Sequence, residues 1–183
     1  MTSKVQMRAE ARALRKQLAR ETPDAAERLA AFAGELPGGM VHALYQAIGA
    51  ELDVGPLARR LAYEGRDLCL PVVTELDAPL SFRGWRPGDP QEPDAAGILA
   101  PLPSARLMTP DLILTPLLAF DAQGGRLGQG GGYYDRTFAA FADAIRIGVA
   151  YAGQQVARVP MQAHDIPLHG VLTETGYIPA RKG

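Results

Sequence analysis

The sequence has a single cysteine and a formal net charge of only −1, because 19 Lys and Arg residues are balanced by 20 Asp and Glu residues. Without an excess of positive charge, the chain has no global field that would attract nucleic acid or an anionic membrane surface. Long apolar runs are also missing: the longest, residues 112–120, contains Thr115 and Pro116 and has about half of the roughly 20 residues that a membrane helix needs. We therefore expect no nucleic acid and no membrane among the partners.

The lone Cys69 cannot form a disulfide within the chain, and the N-terminus is charged from Lys4 onward, without the apolar segment of a signal peptide. Both features favour the reducing cytoplasm. A chain of 183 residues fits one domain, since domains usually have about 100–200 residues. We expect a single domain over residues 1–183 that acts as a monomer.

Two helices joined by a turn are predicted for about residues 3–36. Good helix formers dominate the first twenty residues, and apolar side chains recur there at helical spacing: Met7, Ala11, Leu14 and Leu18. The run Thr22-Pro23-Asp24 predicts the start of the second helix, with an N-cap, a proline in the first turn and an acid near the positive helix end. The apolar side chains of this second helix are Leu29, Phe32 and Leu36.

The first predicted helix also carries a basic stripe. Its cations are Lys4, Arg8, Arg12 and Arg15, at spacings of 4, 4 and 3 residues. Such spacing places like charges on one helix face, where they repel each other. A charged stripe is usually a solvated face, and we keep that interpretation for Arg12 and Arg15.

Beyond the helices, short apolar runs alternate with helical patterns. The predicted strands are Met40–Ala47, Leu68–Val73, Asp111–Thr115, Ile145–Tyr151 and Gly170–Thr173, with Pro79–Trp85 as an edge strand. The predicted helices are Pro56–Glu64 and Tyr133–Ala142, and Arg86–Gly97 is predicted to be an exposed loop. Strands that alternate with helices predict a three-layer α/β/α domain of Rossmann-like type, with a largely parallel sheet and helices on both faces.

Glycines are concentrated late in the chain, where six of the nine residues from Gly124 to Gly132 are glycine. Because glycine has no Cβ, successive backbone N–H groups can converge on an anion, and the predicted helix that follows adds its positive end. A flexible linker would be polar and rich in Gly and Ser, whereas this segment contains Arg126 and Leu127 and runs into two tyrosines. The pattern favours a phosphate-binding loop.

Two common nucleotide loops are excluded by residue identity. A Walker A loop needs Lys and Ser or Thr after the glycines, but Tyr133 follows Gly132. The dinucleotide fingerprint requires a third glycine where Tyr133 stands, and it follows the first strand rather than a late one. Because the dinucleotide fingerprint is missing, the main argument for a nicotinamide-dependent oxidoreductase is missing too.

The run from Arg126 to Arg136, RLGQGGGYYDR, resembles the signature of the 5-formyltetrahydrofolate cyclo-ligase family, also called 5,10-methenyltetrahydrofolate synthetases. Further segments match family motifs in the same order: Lys4 with Arg8, Glu51–Asp53, Pro110–Pro116, Ala119–Asp121 and Pro160–Asp165. The resemblance covers most of the chain. It implies an α/β fold that binds ATP and a reduced folate, and an enzyme that closes 5-formyltetrahydrofolate to 5,10-methenyltetrahydrofolate while ATP becomes ADP and phosphate.

The resemblance also implies the roles of individual residues. Arg126 is the expected catalytic residue at the transferring phosphate. The expected ATP contacts are Lys4, Arg8, Arg126, Leu127, Gly128, Gln129, Gly130, Gly131, Gly132, Tyr133 and Tyr134. The expected folate contacts are Glu51, Gln46 and Tyr133, and the expected Mg²⁺ ligands are Asp135 and Asp165. Carboxylate oxygens are hard ligands, which suit Mg²⁺ bound together with phosphates.

Some alternatives stay open at the level of sequence. Asp135 is also explained as an acid stabilised by the helix dipole, and Trp85 as either a pterin contact or a buried strand residue. The chain departs from the family pattern at Ala100, where members usually carry Glu, and at Gln129, where Arg or Tyr is common. A paralogue with another acceptor, or a non-enzymatic sensor of a sugar phosphate or folate, is therefore an alternative.

Overall fold

The computed structural model describes residues 4–181. Its α-helices are α1 (Lys4–Glu21), α2 (Ala25–Ala31), α3 (Gly55–Tyr63) and α4 (Tyr133–Ala140), with 3₁₀ turns at Ala33–Glu35 and Ala152–Gln154. Its strands are β1 (Val41–Ala43), β2 (Asp67–Val72), β3 (Ser81–Gly84), β4 (Gln91–Pro93), β5 (Leu99–Pro101), β6 (Leu112–Pro116), β7 (Ala119–Phe120), β8 (Arg126–Leu127), β9 (Ile145–Val149), β10 (Gly170–Thr173) and β11 (Gly176–Pro179).

Seven strands form one sheet in the order β11-β10-β9-β6-β1-β2-β3. The five inner strands pair in parallel, while β3 and β11 pair antiparallel at the two edges. Two small antiparallel pairs, β4 with β5 and β7 with β8, lie outside this sheet. The predicted largely parallel sheet, with an edge strand near residue 82, is confirmed.

Both faces of the sheet are buried under helices. Along β6, Leu112 and Leu114 belong to the core that includes α2 and α3, whereas Ile113 belongs to the core that includes Phe138 of α4. Successive strand residues point to opposite faces, so this alternation shows that the sheet is covered on both sides. The predicted three-layer α/β/α arrangement is confirmed.

The sheet changes its winding direction between β1 and β6. From β1 the chain proceeds to β2 on one side, and from β6 it proceeds to β9 and β10 on the other side. The loops after β1 and β6 therefore diverge, and they leave a crevice at the carboxyl ends of these two neighbouring strands. In open α/β sheets, ligands bind in such a crevice.

Several predicted bounds were wrong. The strand predicted at Met40–Ala47 ends at Ala43, because the chain then leaves the sheet in a loop that the Tyr45 hydroxyl closes by donating to the Leu52 carbonyl over 2.5 Å. The helix predicted to reach Ala142 ends at Ala140. The strand predicted to reach Tyr151 ends at Val149, where a 3₁₀ turn follows.

The predicted exposed loop Arg86–Gly97 contains strand β4, which pairs with β5. Asp94 holds the turn between them: one carboxylate oxygen accepts the N–H groups of Ala96 and Ile98, and the other accepts the N–H of Val73. Strand β11 was not predicted at all. It pairs antiparallel with β10 through a turn that ends at Gly176, whose φ is +132°.

The second helix was also predicted too long. It begins at Ala25 rather than after Thr22, with Asp24 in the N-cap position but without a side-chain hydrogen bond. It ends at Ala31, and Leu36 lies beyond a 3₁₀ turn. Residue 3, where the first helix was predicted to begin, lies outside the described residues, as do the ends of the predicted domain 1–183. The extent of that domain stays a prediction.

The helices between residues 4 and 181 are all too short or too polar to cross a membrane.

Candidate active site

A cavity of about 430 Å³ lies at the crevice between the carboxyl ends of β1 and β6. Tyr45 and Gln46 enter it from the loop after β1, and Leu117 enters it from the segment after β6. Every residue that the sequence predicted as a functional contact lines this cavity: Lys4, Arg8, Gln46, Glu51, Arg126, Leu127, Gly128, Gln129, Gly130, Gly131, Gly132, Tyr133, Tyr134, Asp135 and Asp165. Residues up to 161 positions apart in sequence thus meet in one place.

The β7–β8 hairpin positions the start of the glycine loop. Asp121 is buried at its turn, where one carboxylate oxygen accepts the N–H groups of Gln123 and Gly125 over 2.9 and 2.8 Å. The other oxygen accepts the Val159 N–H over 2.8 Å. Because these bonds fix the turn, strand β8 delivers Arg126 to the cavity in one orientation.

The glycine loop needs glycine for two separate reasons. Gly130 and Gly132 have φ values of +105° and +70°, which residues other than glycine rarely adopt. A Cβ on Gly130 would also lie 3.3 Å from the Arg8 guanidinium carbon. Gly132 is the N-cap of α4, so the loop leads directly into the positive end of that helix.

Helix α1 is attached to the glycine loop by its basic stripe. Arg8 Nε donates to the Gly128 carbonyl and Arg12 Nε donates to the Gln129 side-chain oxygen, both over 3.0 Å. Arg12 is exposed, as predicted for a solvated cation. These two contacts hold the helix so that Lys4 and Arg8 line the cavity.

Each predicted metal ligand is paired with a predicted phosphate contact. Arg126 Nη2 lies 3.0 Å from Asp135 Oδ2, and Lys4 Nζ lies 3.1 Å from Asp165 Oδ2. The two carboxylates are neighbours, because the other oxygen of Asp135 accepts the N–H of Ile166, the residue after Asp165. Burial opposes ionisation of Asp165, but its bonds from the Gln162 N–H and from Lys4 hold its pKa below the ordinary value.

Arg126 is more deeply buried than its partner, with side-chain exposures of 7% for Arg126 and 18% for Asp135. Its guanidinium lies over the Phe138 ring at 5.6 Å, and its Nε has no hydrogen-bond partner in the structure. A guanidinium that is already desolvated and lines the cavity can bind an anion without a further cost of desolvation. This arrangement fits contact with a phosphate oxygen.

Arg15 contradicts the prediction of a solvated side chain. It is only 7% exposed and it lines the cavity, where Nη1 donates to the Leu117 carbonyl over 3.2 Å. The physical reason is that α1 packs across the crevice, so the fourth cation of the stripe turns inward. Nη1 also lies 4.0 Å from a carboxylate oxygen of Glu51.

Glu51 is itself buried, with 9% of its side chain exposed, and burial raises the pKa of its carboxyl. The Ile48 N–H donates to one of its oxygens over 3.0 Å, and Arg15 faces the other. Desolvation raises the pKa values of Tyr45 and Tyr134 in the same cavity, and the negative charge of Glu51 raises both further. Glu51 is thus a desolvated acceptor facing the cavity.

Tyr134 also lines the cavity. Desolvation and the charge of Glu51 raise the pKa of its hydroxyl, and the charge of Arg126 opposes this shift. Tyr133 lines the cavity too, while the Arg136 guanidinium lies over its ring at 4.9 Å. Arg136 also donates to the Gly131 carbonyl over 2.9 Å, which fixes the end of the loop.

Trp85 and Ala100 lie apart from this cavity. Trp85 lines a second, smaller cavity of about 240 Å³, so the structure does not support it as a wall of the main one. Ala100 is buried in β5 and does not line the main cavity. Its neighbour Leu99 does line that cavity.

Two parts of the site were missed in the sequence. One is Arg15, although its spacing placed it on the same helix face as Lys4 and Arg8. The other is the β4–β5 hairpin, which lines the cavity with Asp94, Ala96, Ile98 and Leu99. Asp94 and Gly97 occupy the first and last positions of a turn closed by a 2.9 Å backbone bond, a pattern that indicates a β-turn.

Known proteins are similar to this chain over most of its length. The model of the 5-formyltetrahydrofolate cyclo-ligase family matches residues 1–174. A 5-formyltetrahydrofolate cyclo-ligase of Escherichia coli K12 is 36% identical over 149 residues, which are 75% of this chain and 80% of that protein. One from Haemophilus influenzae is 34% identical over 137 residues, covering 71% of this chain and 73% of that protein.

A solved structure agrees with the sequence comparisons. The NMR structure of the 5,10-methenyltetrahydrofolate synthetase of Aquifex aeolicus superposes with a TM-score of 0.82 and 30% identity, and covers 98% of this chain and 94% of its own. The resemblance found in the glycine loop thus extends to the whole fold. This chain belongs to the 5-formyltetrahydrofolate cyclo-ligase family.

Proposed function

We propose that this chain catalyses the ATP- and Mg²⁺-dependent closure of 5-formyltetrahydrofolate to 5,10-methenyltetrahydrofolate, with ADP and phosphate as the other products. One observation carries the proposal. A single cavity is lined both by the glycine loop with its neighbouring cations and by the buried carboxylate of Glu51. A triphosphate and a reduced pterin can therefore meet in it.

At the glycine-loop end, we assign the phosphates to backbone N–H groups of Gly128–Gly132 and to the side chains of Lys4, Arg8 and Arg126. Phosphoryl transfer depends mainly on positioning and on neutralising charge. Arg8 and Arg136 hold the loop by donating to its carbonyl groups, and the Arg126 side chain is buried in the cavity wall. We assign Arg126 to the transferring phosphate. Leu127, Gln129, Tyr133 and Tyr134 complete the predicted nucleotide contacts.

The donor set fits Mg²⁺. Asp135 and Asp165 offer two carboxylates in the lining of one cavity, and Mg²⁺ typically takes one or two carboxylates together with phosphates and water. The part of the chain that the structure describes has no cluster of three or more His, Cys, Asp or Glu side chains, so an all-protein cage is not the fitting alternative there. When bound, Mg²⁺ would neutralise the phosphate charge that develops during transfer.

We assign the pterin to the part of the cavity beside Glu51, with Gln46 and Tyr133 as further contacts. A carboxylate accepts hydrogen bonds from the ring N–H and amino groups of a pterin. The apolar side chains of Ile48 and Leu99 lie at the same cavity although they are 53% and 46% exposed, which suits an aromatic ligand that covers them.

The proposed reaction solves the problem that a formamide oxygen is a poor leaving group. The formyl oxygen attacks the γ-phosphorus and ADP leaves. N10 then attacks the formyl carbon and loses its proton, and the oxygen departs within inorganic phosphate. Arg126 would stabilise the charge on the transferring phosphoryl group, and the cavity would hold N10 near the activated carbon.

The sensor of a sugar phosphate or folate is not favoured, because the named relatives are ligases. Two further predictions stay proposals: a monomer and a cytoplasmic location. The monomer is supported by the fact that one chain supplies every predicted site residue to the cavity. The reducing cytoplasm suits Cys69, since burial raises the pKa of its thiol to about 12 and leaves it unreactive.

The test is a direct assay of the purified protein. With MgATP and 5-formyltetrahydrofolate, we expect the absorbance of the methenyl product to appear together with one ADP per product molecule. Omitting ATP is the first control. ATP hydrolysis without methenyl formation would instead indicate a paralogue with another acceptor, and neither product at micromolar enzyme would overturn the proposal.

A further inference from the structure

A buried guanidinium, that of Arg15, lines the cavity. Arg15 is 7% exposed, and the partners found for it, the Leu117 carbonyl and the Glu51 carboxylate, both lie at Nη1. Its Nε is enclosed without a hydrogen-bond partner, so Nη2 is the donor that is left for a ligand in the cavity. A guanidinium has five N–H donors, and a buried donor without a partner is costly. Something else is therefore expected to meet these donors in the working enzyme.

The contact between Arg15 and Glu51 is open. A structural guanidinium–carboxylate pair closes to roughly 2.7–2.9 Å, but here the nearest nitrogen and oxygen are 4.0 Å apart. Different segments hold the two groups apart: Arg15 is bonded to Leu117 after β6, and Glu51 is bonded to the Ile48 N–H after β1. The pair thus spans the crevice with a donor and an acceptor side by side.

This donor–acceptor order matches one edge of a pterin ring. A 4-oxo pterin carries a ring N–H between an exocyclic amino group and a carbonyl oxygen. A carboxylate can accept from the N–H and the amino group, and the neighbouring carbonyl oxygen then requires a donor. A carboxylate alone would leave that oxygen unbonded in a desolvated site, at a cost that a correctly placed guanidinium removes.

We propose that Arg15 is a substrate-recognition residue, an inference that rests on the proposed function: its guanidinium donates to the ring carbonyl oxygen of the reduced pterin while Glu51 accepts from the adjacent ring N–H. The pair then recognises the cyclic amide edge of the ring. An acceptor of N–H groups must be ionised, and the charge of Arg15 opposes the rise in the pKa of Glu51 that burial causes.

The test compares two substitutions at position 15 with one beside it. Arg15→Met removes the charge and keeps much of the volume, and Arg15→Lys keeps the charge but loses the planar fork. Lys16→Met removes one cation from an exposed position of the same helix and is the matched control. We measure KM for 5-formyltetrahydrofolate and for ATP separately, and binding of 5-formyltetrahydrofolate without ATP by equilibrium dialysis.

For Arg15→Met, we expect the KM and the dissociation constant for the folate to rise roughly 10- to 100-fold, the usual effect of losing a hydrogen bond from a charged group. The KM for ATP should change less than threefold, and Lys16→Met should behave as the wild type. Arg15→Lys should show an intermediate rise. It carries the test if Arg15→Met does not fold.

A purely structural role for Arg15 would give a different result. Both KM values would then stay unchanged in the folded fraction, or would rise together, and either outcome overturns the inference. A second measurement uses the 4-amino analogue of the substrate, which lacks the ring carbonyl. The wild type should prefer the 4-oxo substrate. The preference that remains in Glu51→Gln measures the contribution of Arg15, and Arg15→Met should lose most of an equal amount. An unchanged preference in Arg15→Met overturns the inference.

Failure of the proposed function is distinguishable from failure of this inference. If the wild type forms no methenyl product, the proposed reaction fails, whatever the variants do. If the wild type forms product but Arg15→Met and Arg15→Lys bind the folate as tightly as it does, the reaction stands and the role of Arg15 fails.

Discussion

Arg126 and Asp135 form a buried ion pair of 3.0 Å between a cation that we assign to phosphate and a carboxylate that we assign to a metal ion. Lys4 and Asp165 repeat the arrangement at 3.1 Å. Each carboxylate thus neutralises a cation that we assign to phosphate, and each cation neutralises a carboxylate that we assign to Mg²⁺. If a phosphate and a divalent cation bind together, each charged side chain exchanges one oppositely charged partner for another. If only one of them binds, one side chain of each pair loses its partner, which is costly for a buried charge.

Arg126→Ala is expected to reduce kcat by about 10²–10³-fold, the size of effect for removing one preorganised group that stabilises charge in the transition state. The KM values should change less. Steady-state kinetics of methenyl formation measures both. Arg60→Ala, which removes an exposed guanidinium paired with Glu64 on α3, is the control and should be unaffected. A wild-type kcat in Arg126→Ala would refute the assigned role.

Asp135→Asn and Asp165→Asn are expected to raise the Mg²⁺ concentration needed for half-maximal rate, because each removes a charged ligand. Calorimetry gives a second readout: the wild type should bind ATP more tightly with Mg²⁺ than with a chelator, and this difference should shrink in both variants. Asp143→Asn, an exposed carboxylate in the segment after α4, is the control. Equal ATP affinity with and without Mg²⁺ in the wild type would contradict the metal assignment.

The sequence predicts well those parts of the site whose chemistry is local. The glycine loop and the beginning of α4 depend on consecutive residues, since Gly132 with its positive φ is followed directly by the helix. The strand Gly170–Thr173 was predicted to the residue, because its short buried run ends at a turn at residues 174–175. Such signals need no knowledge of distant contacts.

The parts that were missed depend on distant contacts. Arg15 is buried because α1 crosses the crevice and meets Leu117, which is 102 positions away in sequence. On an isolated helix the same residue would be solvated, as its neighbours Lys16 and Gln17 are. Strand β4 contains Pro93 and the acidic Glu92, so its composition resembles a loop, and only pairing with β5 makes it a strand.

The affinity for the folate is expected to fall at acidic pH. Glu51 must be ionised to accept N–H groups, and burial raises its pKa above that of an ordinary glutamate. The charged or titratable groups that face it are Arg15, Tyr45 and Tyr134, of which only Arg15 opposes the shift. As pH decreases through the raised pKa, Glu51 is protonated and the KM for folate should increase, at pH values where exposed carboxylates are still charged.

The variant Glu51→Gln separates this effect from other titrations. Its KM for the folate should be high at every pH, and the dependence of that KM on acidity should become flat. The KM for ATP should show the same pH profile in both proteins. A wild-type KM for folate that stays constant down to the pH where ordinary carboxylates titrate would rule out a raised pKa at Glu51.

Gly130→Ala is expected to raise the KM for ATP and to leave the KM for the folate nearly unchanged. The new Cβ would strain a residue with φ of +105° and would lie 3.3 Å from the Arg8 guanidinium, so loop and cation must both shift. Gly34→Ala is the matched control, because nothing lies within 4 Å of its Cβ position and its φ is not in the positive range. Equal effects on both KM values would contradict a loop that serves only the nucleotide.

Asp121→Ala is expected to destabilise the protein by about 2–4 kcal/mol, since three backbone N–H groups, two of them in the β7–β8 turn, lose their acceptor. Those groups belong to Gln123, Gly125 and Val159. Urea unfolding measures the change, with the exposed Asp143→Ala as control. Because the same turn delivers Arg126, the folded fraction of Asp121→Ala should also have a lower kcat while its folate affinity stays close to normal. A destabilised variant with a normal kcat per folded molecule would show that Asp121 supports the fold but does not position Arg126.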